Sequence, residues 1–344
     1  MTRRLIKALI CGLTVAGAAS GVILRAQTPA QTVPAARATA DPNKFAVIIS
    51  GASGEEVYAK QFARWTAELR GVLVGRLGFA EDRLKILAES AGEGASAGRA
   101  TAEEVRRVFE SLRGAAAGPE GTLFVFLIGH GTFDGKQAKF NLVGPDITAG
   151  EYAGLLGALP MRRVVVFNLS SASGEFAKAL SGRGRVVVTA TRSGQEQNAP
   201  RFAEHFIAAL TGRESDADQN GRVSVLEAFG YAARLTAEHY KRSGRLATEH
   251  ALIEDSGDGV GHERAEGGDG EVARGVYFDS LTVEQAAASA EVGRLLRERT
   301  RYEEEIAQLK ARKREMAEGQ YESELERLFV GLAKTSRSIK RGGQ

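Results

Sequence analysis

The sequence predicts an α/β protein built on a mostly parallel, doubly wound sheet, with a helical extension at its C-terminal end. Three observations predict it. Short, nearly continuous apolar runs recur at FAVIIS (45–50), RLKILAE (83–89), LFVFLIGHG (123–131), RRVVVFNL (162–169) and RVVVTATRSG (185–194). Such runs fit strands buried on both faces. Helical periodicity and helix-start signals lie between them, so strands alternate with helices as in βαβ units. Beyond residue 280 the apolar residues recur every seven positions, a pattern of helices alone.

The chain of 344 residues suits one large domain plus an appendage. A net charge of +3, with both signs evenly mixed, excludes nucleic acid as a partner of choice. Residues 1–26 read as a signal peptide: Arg3, Arg4 and Lys7 precede an apolar stretch over 8–24. Cleavage near Ala26 or Ala30 would release the protein to the periplasm or the exterior. Without cleavage the same segment would anchor it in the inner membrane. The only cysteine, Cys11, lies in this segment, so a cleaved chain has no thiol, no disulfide and no cysteine nucleophile. Residues 27–43, rich in Pro, Ala, Thr and Gln, read as a flexible linker.

The elements follow in order. After the first strand, Val57, Phe62, Trp65, Leu69, Leu73 and Leu77 form the core stripe of a helix over 55–77. Thr101 and Glu104 form a capping box before EEVRRVFESLRG, and Thr148 with Glu151 forms another. In parallel sheets, sites lie beyond the C-terminal strand ends. Three polar turns collect there: GHGTFDG, SSASG and TRSGQEQN. His130, between two glycines, faces the hydroxyls of Ser170 and Ser171 as a base beside a nucleophile by residue type. The Gly131 amide is a candidate oxyanion donor.

A strand ending in Gly-His-Gly, a helix, then a strand ending in a turn with Ser-Gly resembles the clan of caspases, metacaspases, gingipains and legumain. The resemblance covers roughly residues 44–262 and implies a three-layer caspase-like fold. In that clan a His follows one strand, and an acid–small–Cys–x–Ser–Gly turn follows the next. Anchored on Ser173-Gly174, the gapless match places Ser171 at the catalytic Cys and Leu169 at the acid. A one-residue slip places Ser170 and Asn168 there instead. TATRSGQEQN resembles the strand and loop that help form the specificity pocket. The missing thiol departs from the family, because a serine hydroxyl needs full base assistance that a thiolate does not. Asp134 is close in sequence as a candidate third group. The missing acid removes the basis for family-like selectivity for basic side chains.

DADQNGRVSVLE (216–227) matches an EF-hand calcium loop. Asp216, Asp218, Asn220 and Ser224 fall at positions 1, 3, 5 and 9, and Glu227 at position 12. Arg222 offers its backbone carbonyl at position 7, and Gly221 serves the turn. A single loop implies one structural Ca2+ rather than a paired sensor. EDSGDGVGHE (254–263) lacks that spacing and reads as a solvated loop, and residues 263–280 as a mobile one. Residues 281–344 form the helical extension. Leu295, Tyr302, Leu309 and Met316 make a heptad stripe that Arg299 and Lys313 interrupt, and Tyr321, Leu325, Leu328 and Leu332 resume it. Either a self-packed hairpin or a coiled coil for a homodimer satisfies this pattern.

Three readings of function follow. The first is a pseudopeptidase that binds a peptide or protein in its cleft. The second is an active hydrolase using Ser171, or Ser170, with His130. The third is a calcium-stabilised assembly protein that works through its coiled helices.

Overall fold

The computed structural model describes residues 40–90, 97–114, 121–212, 214–218, 222–279 and 290–342. The expected signal peptide, nearly all of the linker, Cys11, Asn220 and Gly221 lie outside these residues.

The main sheet has seven strands: β1 (Lys44–Ser50), β2 (Leu84–Ala88), β3 (Ala97–Arg99), β4 (Thr122–Ile128), β8 (Arg163–Asn168), β9 (Arg185–Thr189) and β10 (Leu252–Glu254). Their order is β10-β9-β8-β4-β1-β2-β3, and only β10 runs antiparallel to its neighbour. Helices cover both faces, which makes three layers, as the alternation of apolar runs and helical stretches predicts. On one face α1 (Glu56–Gly75), α5 (Phe202–Thr211) and α6 (Val225–Arg242) bury Ile48, Phe126, Phe167 and Val188. On the other, α2 (Ala102–Arg113), α3 (Ala149–Gly157) and α4 (Glu175–Leu180) cover Val47, Val125, Val166 and Val187. Alternate residues of each strand thus enter opposite cores, which is why the runs are apolar without interruption. Trp65 is buried in the first core, as the α1 stripe implies.

Helix starts follow the capping chemistry. Thr101 accepts from the Glu104 amide, and Thr148 and Glu151 close a reciprocal capping box at α3. A second sheet, β5 (Gly131–Phe133), β6 (Ala138–Phe140) and β7 (Ile147–Thr148), is antiparallel and escapes sequence periodicity because its strands have only two or three residues.

Two loop readings need correction. Residues 263–279 are folded rather than mobile: they hold the short α7 (Glu271–Arg274) and insert Ala273, Val276 and Phe278 into the core. The 254–263 stretch is not simply solvated either. The Asp255 carboxylate accepts from the amides of Gly270 and Ala273, and Asp269 accepts from the amides of Asp255 and Ser256. Backbone amides thus satisfy carboxylates that composition alone marks as exposed.

The extension is a helical hairpin of α8 (Ala290–Ala311) and α9 (Glu318–Gly342). Ile306, Leu309, Tyr321 and Leu328 close its seam, so the heptad stripe is satisfied within one chain. Arg299 is buried in an ion pair with Glu303 at 3.4 Å, which is how the interrupting charge is accommodated. Among the described residues no helix is long and apolar enough to cross a membrane.

Lys44, at the start of β1, is buried and donates to the Phe278 carbonyl at 2.5 Å. Burial lowers its pKa to about 7, against opposition from Asp279 and Asp41. The unfolded chain therefore binds more protons than the native state from pH 7 upward, and stability rises with pH. Urea midpoints should increase from pH 7 to 9, and Lys44→Met should flatten that slope. A wild-type profile that is level or falls over this range refutes the assignment.

Candidate functional site

The cleft lies where β4, β8 and β9 end side by side. Leu127 pairs with Asn168, and Asn168 with Thr189, so the three turns that follow leave the sheet at one level. This meets the expectation that GHG, SSASG and TRSG converge.

The Gly-His-Gly turn and the serine turn touch through backbone. A Cβ on Gly131 would lie 2.3 Å from the Ser171 carbonyl oxygen, so only glycine fits there. Ala172, the next residue, has φ of 51°, a conformation that costs a non-glycine residue about 1 kcal/mol or more. Its amide donates to the Glu196 carbonyl at 2.8 Å. Thr191 holds the far side: its hydroxyl oxygen accepts from the amides of Ser173 (2.8 Å) and Gly174 (3.1 Å). The Glu196 carboxylate accepts from the amides of Arg192 and His250, and pairs with the His250 ring at 2.5 Å.

His130 is half-buried, with Tyr58 edge-on at 4.6 Å and Phe62 at 5.2 Å between ring centroids. Burial lowers its pKa below the ordinary value, opposed by the nearby Ser53 backbone and the Glu55 charge. The ring is therefore neutral at pH 7. Ser53 is itself pinned, since its hydroxyl donates to Glu89 at 2.5 Å and its amide donates to the same oxygen. Asp134 is exposed and accepts from the amides of Lys136 and Gln137 in its own turn.

Both candidate nucleophiles are buried. The Ser171 hydroxyl donates to the Gly131 carbonyl at 3.3 Å and accepts from the Gly131 amide at 3.2 Å. The Ser170 hydroxyl donates to the Asn168 side-chain oxygen at 2.6 Å. Neither hydroxyl hydrogen-bonds the His130 ring. His130 and Ser171 still share one cavity of about 460 Å³, lined also by Gly131, Thr132, Phe133, Asn141 and Gln197. Among the described residues no carboxylate, lysine or arginine lines it, and Leu169 is buried in the core. Thr132, Phe133 and Gln197 belong to the turns that the sequence brings together, whereas Asn141 lies outside them. Asn141 sits on the His130 carbonyl through its amide (3.0 Å), a contact of the short second sheet that has no sequence signature.

In the calcium loop, carboxylate oxygens of Asp216, Asp218 and Glu227 lie within 4.8 Å of one another. Ser224 caps α6, and Glu227 closes the capping box by accepting from the Ser224 amide (2.9 Å) and hydroxyl (2.7 Å). The other Glu227 oxygen accepts from the amides of Ala217 and Asp218. Three hard oxygen donors on a turn of this kind fit Ca2+. The Arg222 side chain leaves the loop and pairs with Asp279 at 3.0 Å.

No family model matches this chain, and no curated protein matches it. Among solved structures it is similar to the crystal structure of the Drosophila initiator caspase Dronc. The TM-score is 0.39 and the identity 8%, over 64% of this chain and 85% of that one. A likeness of that size carries no argument about residues, which rests on the geometry above.

Thr191 is the residue on which the serine turn depends most. Thr191→Val should leave the Ser173 and Gly174 amides without an acceptor and cost about 1–3 kcal/mol for each. Thr191→Ser should restore stability, as read by chemical unfolding. Equal loss in both variants would show that packing, not the hydroxyl, matters.

Proposed function

We propose that this chain is a caspase/legumain-like peptidase homologue whose hydrolytic site is closed, and that it binds an extended peptide or a protein segment in its cleft. One observation carries the reading: the reciprocal pair between the Ser171 hydroxyl and the Gly131 backbone. It occupies both parts of the machinery at once. The hydroxyl proton points to a carbonyl that cannot take it, while His130, the only base at hand, receives nothing. The Gly131 amide, the expected oxyanion donor, is turned to the hydroxyl oxygen instead. Loss of one such donor typically lowers kcat by about 10²–10³. The cavity keeps what binding needs: an apolar ring, two carboxamides and a hydroxyl. Its neutral lining favours an uncharged side chain in the ligand.

The runner-up, a serine hydrolase, draws on one observation as well. His130 lines the same cavity as Ser171, and burial lowers its pKa. Rotation of the Ser171 hydroxyl toward the ring would assemble a base–nucleophile pair. A fluorophosphonate probe distinguishes the two. The purified protein should not be labelled. Labelling that disappears in Ser171→Ala and in His130→Ala would establish the hydrolase.

The same reading includes one calcium ion held by Asp216, Asp218, Glu227, Asn220 and the Arg222 carbonyl, with Ser224 at the water-mediated position. Export by the N-terminal signal would place the module outside the cytoplasm, where calcium modules work at about 10⁻⁴–10⁻³ M. Calorimetry should find one site in that range, with binding lost in Glu227→Gln. Unchanged affinity in that variant would remove the loop as the site.

A further inference from the structure

The seam of the C-terminal hairpin leaves one face of α9 unused. Tyr321, Leu325, Leu328 and Leu332 pack with Ile306 and Leu309 of α8. At about 100° per residue, the opposite face of α9 carries Ser323, Glu326, Val330, Lys334 and Arg337. Val330 on that face and Phe329 at its flank are 45% and 46% exposed. They are the one adjacent pair among the exposed large hydrophobics of the described residues. Val57, Leu246 and Val260 are scattered singly, as is ordinary on a protein surface. A groove of about 480 Å³ lies beside them, lined by Tyr302 of α8 and by Glu326, Val330 and Lys334 of α9. Gly331 lets the Tyr302 ring form its wall, since a Cβ there would lie 2.5 Å from that ring.

Val330 is also the midpoint of α9 (Glu318–Gly342), and the charge of the helix changes sign there. Glu318, Glu322 and Glu326 precede it, and Lys334 and Arg337 follow it. Arg327, the basic residue of the first half, is taken up by Glu324 and Glu305 within the hairpin. Glu326 and Lys334 are on one face but about 12 Å apart along the helix, too far to pair with each other. Neither makes an ion pair within the chain among the described residues.

We propose that this face of α9 docks a second copy of the chain, antiparallel, about a two-fold axis at Val330. A two-fold contact is isologous, so the face has to be complementary to itself. Reversal about Val330 brings each Glu326 level with the partner's Lys334 and lays the acidic half of one helix along the basic half of the other. Parallel pairing would set like charges side by side. Phe329 and Val330 supply the apolar centre, and the charges fix the orientation. The heptad seam, a candidate dimer contact by its period, is consumed inside the hairpin, so the dimer is two hairpins back to back.

Sedimentation of the full chain over a concentration series tests this. Wild type should form a reversible dimer. Glu326→Lys and Lys334→Glu should each raise the dissociation constant about tenfold or more, because like charges then face each other twice. An equimolar mixture of the two variants should dimerise like wild type, since each chain supplies the charge that the other lacks. Val330→Ser, the mildest change on the face, should also weaken the dimer and decides the matter should a charge reversal unfold the hairpin. A wild type that stays monomeric at every concentration overturns the proposal and leaves the face to another partner. A dimer of wild-type affinity in all three variants overturns it too, by placing the contact elsewhere on the chain. Weakened single variants that fail to recover on mixing overturn the antiparallel pairing.

Discussion

The cleft depends on one close approach, the backbone contact between Gly131 and the serine turn. Two parallel strands, β4 and β8, deliver the turns to the same level, and the lack of a side chain at Gly131 lets them meet. Everything else at the site adjusts to that contact. Ala172 takes a left-handed conformation to complete the turn, Thr191 collects the amides that the turn exposes, and Ser171 faces backbone on its near side. The Ser171 hydroxyl is satisfied by backbone groups of that contact, donating to the Gly131 carbonyl and accepting from the Gly131 amide.

Much of the fold was legible in the sequence, for a specific reason. Strands buried on both faces must be apolar at every position, and Phe45–Ile49 or Val164–Phe167 cannot be read as anything solvent-facing. Helix starts were legible where a side chain does the capping, at Thr101, Thr148 and Ser224. The second sheet was not, because its strands are too short for a period to develop. Nor were Glu254, Asp255 and Asp269, which lie buried against the usual reading of acidic, glycine-rich stretches. Glycine supplies free amides in such stretches, so the carboxylates find partners without leaving the interior. Strand order brings His130 and Ser171 to one cavity, while Ser170 turns to Asn168 instead. That the Ser171 hydroxyl turns from the ring was not legible, since it depends on a backbone carbonyl that no side-chain motif encodes.

The two halves of the molecule are organised by different physics. The sheet and its helices are held by apolar burial on two faces. The junction of loop, Tyr277 and hairpin is held by charge and polar contacts: Arg222 with Asp279, Tyr277 with Glu303, Lys310 with Glu271. Polar junctions respond to ions and to ionic strength in a way that apolar cores do not. The apolar frame of the cleft and the polar edge of the domain therefore need not respond together.

The aromatic rings behind His130 have a practical consequence. The chain contains a single tryptophan, Trp65, and its ring lies 6.0 Å from Phe62, which in turn touches His130. An occupant that presses on the histidine moves the wall against which the indole is packed. Intrinsic emission from one buried fluorophore then reads the state of the cleft, with no label attached and no second tryptophan to confuse the signal.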